Sequence, residues 1–434
     1  MKTKPLQQLR LWSACLGNFF EHYDAALFGF LSPFLAPLIF PNKEPIIALI
    51  LTYAMIPLGM LARPFGAIIF GYIGDVYGRR QALFLTLAGM SIVSASIAIS
   101  PTFEQVGIIA PILFFINRIA QNFLSSGENM GGAIFLLENT KKESHDLLSG
   151  IYNASTMGGI ILASAGVSFL SEYGSLQDSW RCLYILGCLT AVFGCMIRWK
   201  LPLDAPSSPT TVNPPSSHSF TNLLKIFWIY RKALFLIALC AGFSYANYSI
   251  ALVMMNGFIP LISSITKQQM IHLNTLLLIL DCVAMPFFGW LSSKISRDKM
   301  MISAAFGVLL TTIPLFILLE SATLTSVILV RICLVLFGVA FFAPFHAWAQ
   351  DLVPQAHRYA IISFGYAIGS QLLGGPSAAF SLWLFKTTGI ISSISWYWLT
   401  LAAITCFSLT RAFISKGRTY DENLNIPILK VTKT

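Results

Sequence analysis

Charge is what this chain has least of. Only 11% of its 434 residues are charged, against 56% hydrophobic, and the mean hydropathy is +0.72. That balance excludes an ordinary soluble globular protein. The eight cysteines give no catalyst either. Cys15, Cys182, Cys188, Cys195, Cys240, Cys282, Cys333 and Cys406 lie in or at the ends of apolar stretches, with no CxxC and no Cys/His ligand spacing. They read as small apolar residues rather than a metal or redox site. A nucleophile–base pair, a metal set and a phosphate loop are also missing, which argues against an enzyme and against a cofactor. The tail from Lys416 to Thr434 lacks heptads, so no coiled coil is expected there.

What the chain does have is long apolar runs. About twelve approach the roughly 20 residues that a spanning helix needs: 11–38, 46–70, 82–100, 106–136, 149–171, 181–199, 233–262, 271–292, 300–319, 324–350, 359–385 and 394–414. Residues 202–219 hold five prolines and almost no apolar side chains, the composition of a flexible or extended linker. The expected fold is an all-α membrane protein with twelve transmembrane helices in two six-helix halves. Residues 1–200 form the first half, 201–222 a cytoplasmic linker, and 223–434 the second half with a short tail.

The formal charge of +10 would suit nucleic acid, but its distribution speaks for topology. With both termini inside, only Lys43, Arg181, Lys267 and Lys386 fall in outer loops, while Arg63, Arg118 and Arg331 lie within or at the ends of helices. The other basic residues lie on the cytoplasmic side, the positive-inside bias. A multi-pass protein of a bacterial inner membrane is expected, with the lipid bilayer as its partner, no nucleic acid, and a monomer as the default.

The first apolar run carries Gly17-Asn18-Phe19-Phe20-Glu21-His22-Tyr23-Asp24, about 16 Å of helical rise beyond Arg10. Each unpaired charge at a helix centre costs roughly 2.5–3.5 kcal/mol on the insertion scale, so such groups face a bundle interior and mark ion or substrate pathways. Glu21 and Asp24 share a helix face with Asn18 and Phe28. A structural ion pair, or a carboxylate reaching to the interface, is the plainer alternative.

After the second run comes Ala62-Arg63-Pro64-Phe65-Gly66, followed by Gly71, Gly74, Asp75, Gly78, Arg79 and Arg80. The glycines permit close helix approach and a tight turn. Asp75 and the arginines can latch helices through charge-assisted hydrogen bonds. The pattern returns 218 residues later, where Gly289 and Arg297 match Gly71 and Arg79 while Ser293 and Ser296 replace Asp75 and Gly78. With an offset of 213, Arg118 falls on Arg331 and Glu138 on Asp351. Weak internal repetition of half the spans is a signature of transporter folds.

In the fourth run, Arg118, Gln121, Ser125 and Glu128 follow helical spacing and form one polar stripe. Arg118 and Glu128 lie ~15 Å apart along the axis, so each needs a partner on another helix. Glu21, Asp24 and Glu128 face Arg118 alone in this inventory. Desolvation and like-charge repulsion disfavour three ionised carboxylates. At least one is expected to hold a proton near neutrality, which makes the trio candidates for proton coupling; water in a cavity is the alternative. Gly127 and Gly131 suggest close helix packing.

The second half has fewer buried charges. Asp281 and Arg331 are candidates for a pair, and His346 reads as a satisfied bundle histidine. Tyr245, Asn247, Tyr248 and Asn256 on the seventh run can line a cavity or serve packing.

These stretches resemble the major facilitator superfamily, and within it the bacterial metabolite–proton symporter branch that includes proline/betaine, dicarboxylate, oxoglutarate and shikimate transporters. Gly17-Asn18-x-x-Glu21-x-Tyr23-Asp24 is similar to the first-helix motif, with His22 where Trp is usual. Ala62-Arg63-Pro64-x-Gly66 through Gly78-Arg79-Arg80 is similar to the second-to-third-helix motif, with Val76 for a basic residue. Arg118-x-x-Gln121 and Gly127-Glu128-x-x-Gly131-Gly132 are similar to the fourth-helix motif, with Asn129 for an aromatic. The resemblance implies a secondary transporter working by alternating access, with proton symport of a small zwitterion or organic acid. Proton handling is then expected at Glu21, Asp24 and Glu128. Substrate contacts are expected at Arg118, Gln121, Asn18, Tyr23, Tyr245 and Asn247, and a cytoplasmic gate at Arg63, Gly71, Asp75, Gly78, Arg79, Arg80 and Arg297. A facilitator or exchanger without protons, and a membrane sensor that no longer transports, remain the rival readings.

Overall fold

The computed structural model describes residues 3–173, 176–199, 220–321 and 323–422, all helix, turn or loop, with no strand among them. The linker expected over 201–222 lies outside the described residues as far as Ser219, and so does the tail beyond Glu422.

Every expected apolar run forms a crossing. The first span is Thr3–Ile39, the second Pro45–Met60 with Arg63–Val76, the third Arg79–Ala98, the fourth Ile109–Glu138, the fifth His145–Tyr173 and the sixth Leu176–Trp199. The seventh is Arg231–Tyr248 continued by Ser249–Met254 and Met255–Ile262, the eighth Lys267–Ile295, the ninth Arg297–Leu318 and the tenth Leu324–Phe342 with Phe345–Asp351. The eleventh is Arg358–Ile368, Gly369–Gly374 and Ser377–Thr388, and the twelfth Trp396–Glu422. Nine of these are apolar enough throughout to be recognised as spans by length and hydropathy alone. The first, fourth and eleventh are not among the nine: the first and fourth carry the polar stripes Asn18-Glu21-Asp24 and Arg118-Gln121-Glu128, and the eleventh is interrupted at Gly375-Pro376.

The side-chain pattern is inverted relative to a soluble protein. Ile92, Phe193, Val283 and Phe407 are exposed, while Glu21, Asp24, Glu128, Arg198 and Arg331 are buried. Without water outside the bundle, apolar groups face lipid and polar groups need partners within it. On the eighth span Val283 is 69% exposed and Asp281, two positions earlier, 6%.

Each six-helix half packs on itself, the first span against the fifth and sixth and the seventh against the tenth to twelfth. Between halves, the second span packs on the eleventh and the fifth on the eighth. Glycines allow these contacts, Gly150 and Gly71 among them. A Cβ on Gly150 would sit 2.4 Å from the carbonyl oxygen of Met285, and one on Gly71 would sit 2.6 Å from the Cα of Ala360. The seventh and eleventh spans each contain a π-helical turn, Ser249–Met254 and Gly369–Gly374, a feature frequent at functional sites.

The repeat read from the sequence persists in the backbone. Gly78 has φ 106° and ψ 147°, and Ser296 has φ 113° and ψ 137°. Ser296 is the one non-glycine residue with positive φ among those described.

Candidate functional site

The first span's polar turn docks on the fourth span. Glu21 and Asp24 are 1% and 2% exposed. Ser125 Oγ donates to Glu21 Oε1, and His22 Nδ1 lies 2.5 Å from Glu21 Oε2. The same nitrogen is 2.9 Å from the carbonyl oxygen of Asn18, and Nε2 is 3.3 Å from Asn129 Nδ2. The two oxygens at Nδ1 fit a proton on that nitrogen. Asp24 accepts from the amide of Gln121, whose oxygen accepts from Arg118. Gln121 therefore stands between Arg118 and Asp24, and the guanidinium of Arg118 lies 4.5 Å from the ring centroid of Phe28.

Glu128 has a different environment. Arg198 donates to both of its oxygens, from Nη1 to Oε2 at 2.7 Å and from Nη2 to Oε1, and Thr86 Oγ1 donates to Oε2 at 3.1 Å. Arg198 also donates to the carbonyl of Leu83 at 2.6 Å. Counting by position in the sequence grouped Arg198 with the cytoplasmic loop cations. The structure corrects this: Arg198 is 1% exposed and neutralises Glu128, so Arg118 is not the sole buried cation of this half.

The other candidate substrate residues mostly join helices within a half. Asn18 Nδ2 reaches Tyr152 O, Ser155 Oγ and Thr156 Oγ1 of the fifth span at 3.0, 2.8 and 2.8 Å. Tyr23 donates to the carbonyl of Leu183 at 3.1 Å and Asn247 to that of Leu334 at 3.2 Å. Tyr245 is half-buried, 6.3 Å from Tyr248 between ring centroids. Arg331 donates to Ala251 O at 2.9 Å and to Asn274 Oδ1 at 2.5 Å, rather than pairing with Asp281. His346 sits 2.8 Å from Asn153 Oδ1 of the opposite half, a satisfied histidine.

A cavity opens on the seam between the halves. Arg63, Ser125, Ser126 and Asn129 line it from one side, and Ser363, Tyr366, Ala367 and Ser370 from the other. Its empty space is ≈ 250 Å³, constricted to the room of about one water. Ser363, Tyr366 and Ser370 were missed in the sequence, where they look like ordinary helix-packing residues. Ser125 belongs to the polar stripe and could have led there. Arg63, expected at the gate, stands at this cavity instead, with Nε donating to Asn122 Oδ1 at 3.0 Å.

At the latch loops the halves interlock. Asp75 accepts from the backbone amides of Tyr359 at 3.1 Å and Ala360 at 2.9 Å, the first turn of the eleventh span. A carboxylate there meets free N–H groups and the positive end of the helix dipole. Arg79 donates to Asp75, to Glu138 at 3.1 Å and to Gln355 O at 2.7 Å, while Arg358 reaches Glu138 at 3.0 Å. The Tyr359 ring fills the hollows left by Gly74 and Gly131, and its hydroxyl donates to Gly127 O. Beside this latch, burial lowers the His357 imidazole below its ordinary value.

The second loop copy latches by another route. Ser293, in the place of Asp75, bonds to Trp290 O at 2.7 Å within its own helix. Arg297 pairs with Asp351 of its own half and, at 2.6 Å, with Asp146 of the other. Arg80 holds the end of the sixth span through Arg198 O at 3.0 Å and Trp199 O at 2.7 Å.

Residues 14–262 and 234–425 each match the Major Facilitator Superfamily model. A Staphylococcus haemolyticus (strain JCSC1435) chain, provisionally named a proline/betaine transporter, is 27% identical over 400 residues, 90% of this chain and 84% of that one. The citrate-proton symporter of Salmonella typhi is 27% identical over 425 residues, 94% of each chain. Among solved structures, the proton:xylose symporter XylE, from E. coli, bound to 6-bromo-6-deoxy-D-glucose gives a TM-score of 0.72 at 16% identity, over 94% of this chain and 96% of that chain. That last likeness is one of fold. With the twelve crossings, the repeat and the interlocked halves, these matches lead to one conclusion: the chain belongs to the Major Facilitator Superfamily and is a membrane transporter, not an enzyme.

Proposed function

We propose that the protein is a proton-coupled symporter of a small organic acid or zwitterion, working by alternating access in a bacterial inner membrane with both termini cytoplasmic. One observation carries the proton part. Glu21 and Asp24 are buried at mid-bundle and neither pairs directly with a Lys or Arg among the described residues; their partners are Ser125, His22 and Gln121. Burial without a Lys or Arg partner penalises the ionised form, most plainly at Asp24, while Ser125 and His22 favour it at Glu21, so protonation is tied to what else enters the site. Glu128, held by Arg198 and Thr86, serves as a fixed ion pair in this reading. His22, whose Nδ1 faces Glu21, can hand its proton to that carboxylate as Nε2 takes up another, which leaves the ring neutral.

The interlock at Asp75, Arg79, Glu138, Arg358, Arg297 and Asp146 is the cytoplasmic gate in its closed form. Its opening accompanies rocking of the halves, as in transporters built from repeats. The test is the full chain in liposomes holding a pH dye, with proline, glycine betaine, other amino acids and small carboxylates added one at a time. Internal acidification with one solute, lost in Asp24→Asn, is the expected result. Counterflow of that solute without proton movement would replace symport by facilitated exchange.

A further inference from the structure

Of the described arginines near the bundle centre, Arg198 and Arg79 pair with carboxylates, while Arg118, Arg331 and Arg63 bond to amide or carbonyl groups, and of these three Arg63 lines the seam cavity. Arg118 is tied to Gln121 and Phe28, Arg198 to Glu128, Arg79 to Asp75 and Glu138, and Arg331 to Asn274 and Ala251. Arg63 spends Nε on Asn122, and no carboxylate pairs with it among the described residues. It lines the seam cavity. Arg118, Glu21, Tyr245 and Tyr366 lie within its electrostatic reach.

Across the cavity stands Ser363, 1% exposed, whose hydroxyl has no hydrogen-bond partner. The phenol of Tyr366 lines the same space. A buried donor without an acceptor is costly to leave unmade. A planar guanidinium on one wall with the unpartnered Ser363 hydroxyl and the Tyr366 side chain on the other is a donor set suited to paired anionic oxygens. The lining also contains no carboxylate and a single aromatic ring, Tyr366. An onium group would find there neither a counter-ion nor the aromatic faces that bind such cations.

We propose that Arg63, Ser363 and Tyr366 form a receptor for the carboxylate of a small organic acid, shared between the two halves. This rests on the transport reading and names its substrate class: acids rather than quaternary ammonium solutes. The cavity holds about one water in the present conformation; because its walls come from both halves, it widens when they part and is drawn shut on a bound anion. Ser125 links the site to proton handling, since it lines the cavity and donates to Glu21. A substrate anion beside Arg63 adds negative charge near Glu21 and favours the protonated acid.

The test is binding by the purified full chain in detergent, measured calorimetrically with citrate, succinate, glycine betaine and choline in turn. The tighter of the two polycarboxylates should bind at least about tenfold more tightly than glycine betaine, and choline should not bind. Arg63→Gln should weaken acid binding by about 100-fold and Arg63→Lys by about tenfold, because lysine keeps the charge and loses the fork. Unchanged affinity in Arg63→Gln, choline binding as tightly as either acid, or no binding of any acid would overturn the receptor. Should Arg63→Gln fail to fold, Ser363→Ala with Tyr366→Phe carries the test, with a loss of about tenfold expected and no loss overturning the proposal. Acid binding without flux in liposomes would sink the transport reading and leave the receptor standing. Flux of an onium solute untouched by Arg63→Gln would do the reverse.

Discussion

Ser296 adopts the backbone conformation of Gly78: φ 113° and ψ 137° against φ 106° and ψ 147°. Each residue precedes the arginine that opens a span, Arg79 in one half and Arg297 in the other. The second copy keeps the turn without the glycine that suits it, and a serine held there is strained. Ser296→Gly should therefore stabilise the protein by about 1 kcal/mol, and Gly78→Ala should destabilise it by about 1–3 kcal/mol. Thermal unfolding in detergent reads both.

The Glu128–Arg198 pair makes a second prediction. Removing one partner strands a buried charge, so Glu128→Gln or Arg198→Met alone should cost about 3–5 kcal/mol. The double variant should lie much nearer to wild type in stability and should retain proton-coupled uptake. A double variant that folds but has lost coupling would return Glu128 to the proton-handling groups.

Asp75 ties the second span to the eleventh through two backbone amides and Arg79. Each charge-assisted bond is worth about 1.5–3 kcal/mol, so Asp75→Asn should shift the balance toward the form open at this end by about 10–100-fold. Alkylation of Ser363→Cys, in a background stripped of the native cysteines, measures it from the latch side. An unchanged rate would mean that the remaining contacts, Arg79–Glu138–Arg358 and Arg297–Asp146, hold the gate by themselves.

Much of this molecule could be read without coordinates. Nine of the crossings follow from length and hydropathy alone, and the polar stripes of the first and fourth spans from charge in the wrong place. The latch loops follow from glycines and charges that recur after 218 residues. What stayed hidden is partnership across helices. Arg198 follows a long apolar run and looks like a positive-inside anchor until Glu128 is seen against it. Asp281 and Arg331 looked like a pair, yet Arg331 is spent on an asparagine and a carbonyl. The cavity wall from the eleventh span is serine and tyrosine, residue types that helix packing uses freely, and only their position opposite Arg63 separates them from the rest.

The most direct test of the central claim is accumulation in liposomes under an imposed pH gradient, inside alkaline, comparing wild type with Glu21→Gln. Wild type should concentrate its substrate above the outside level and lose that ability when an ionophore collapses the gradient. Glu21→Gln should still exchange substrate across the membrane but should not accumulate it. Equal accumulation by both proteins, or accumulation indifferent to the gradient, would contradict a proton-coupled mechanism centred on the first span.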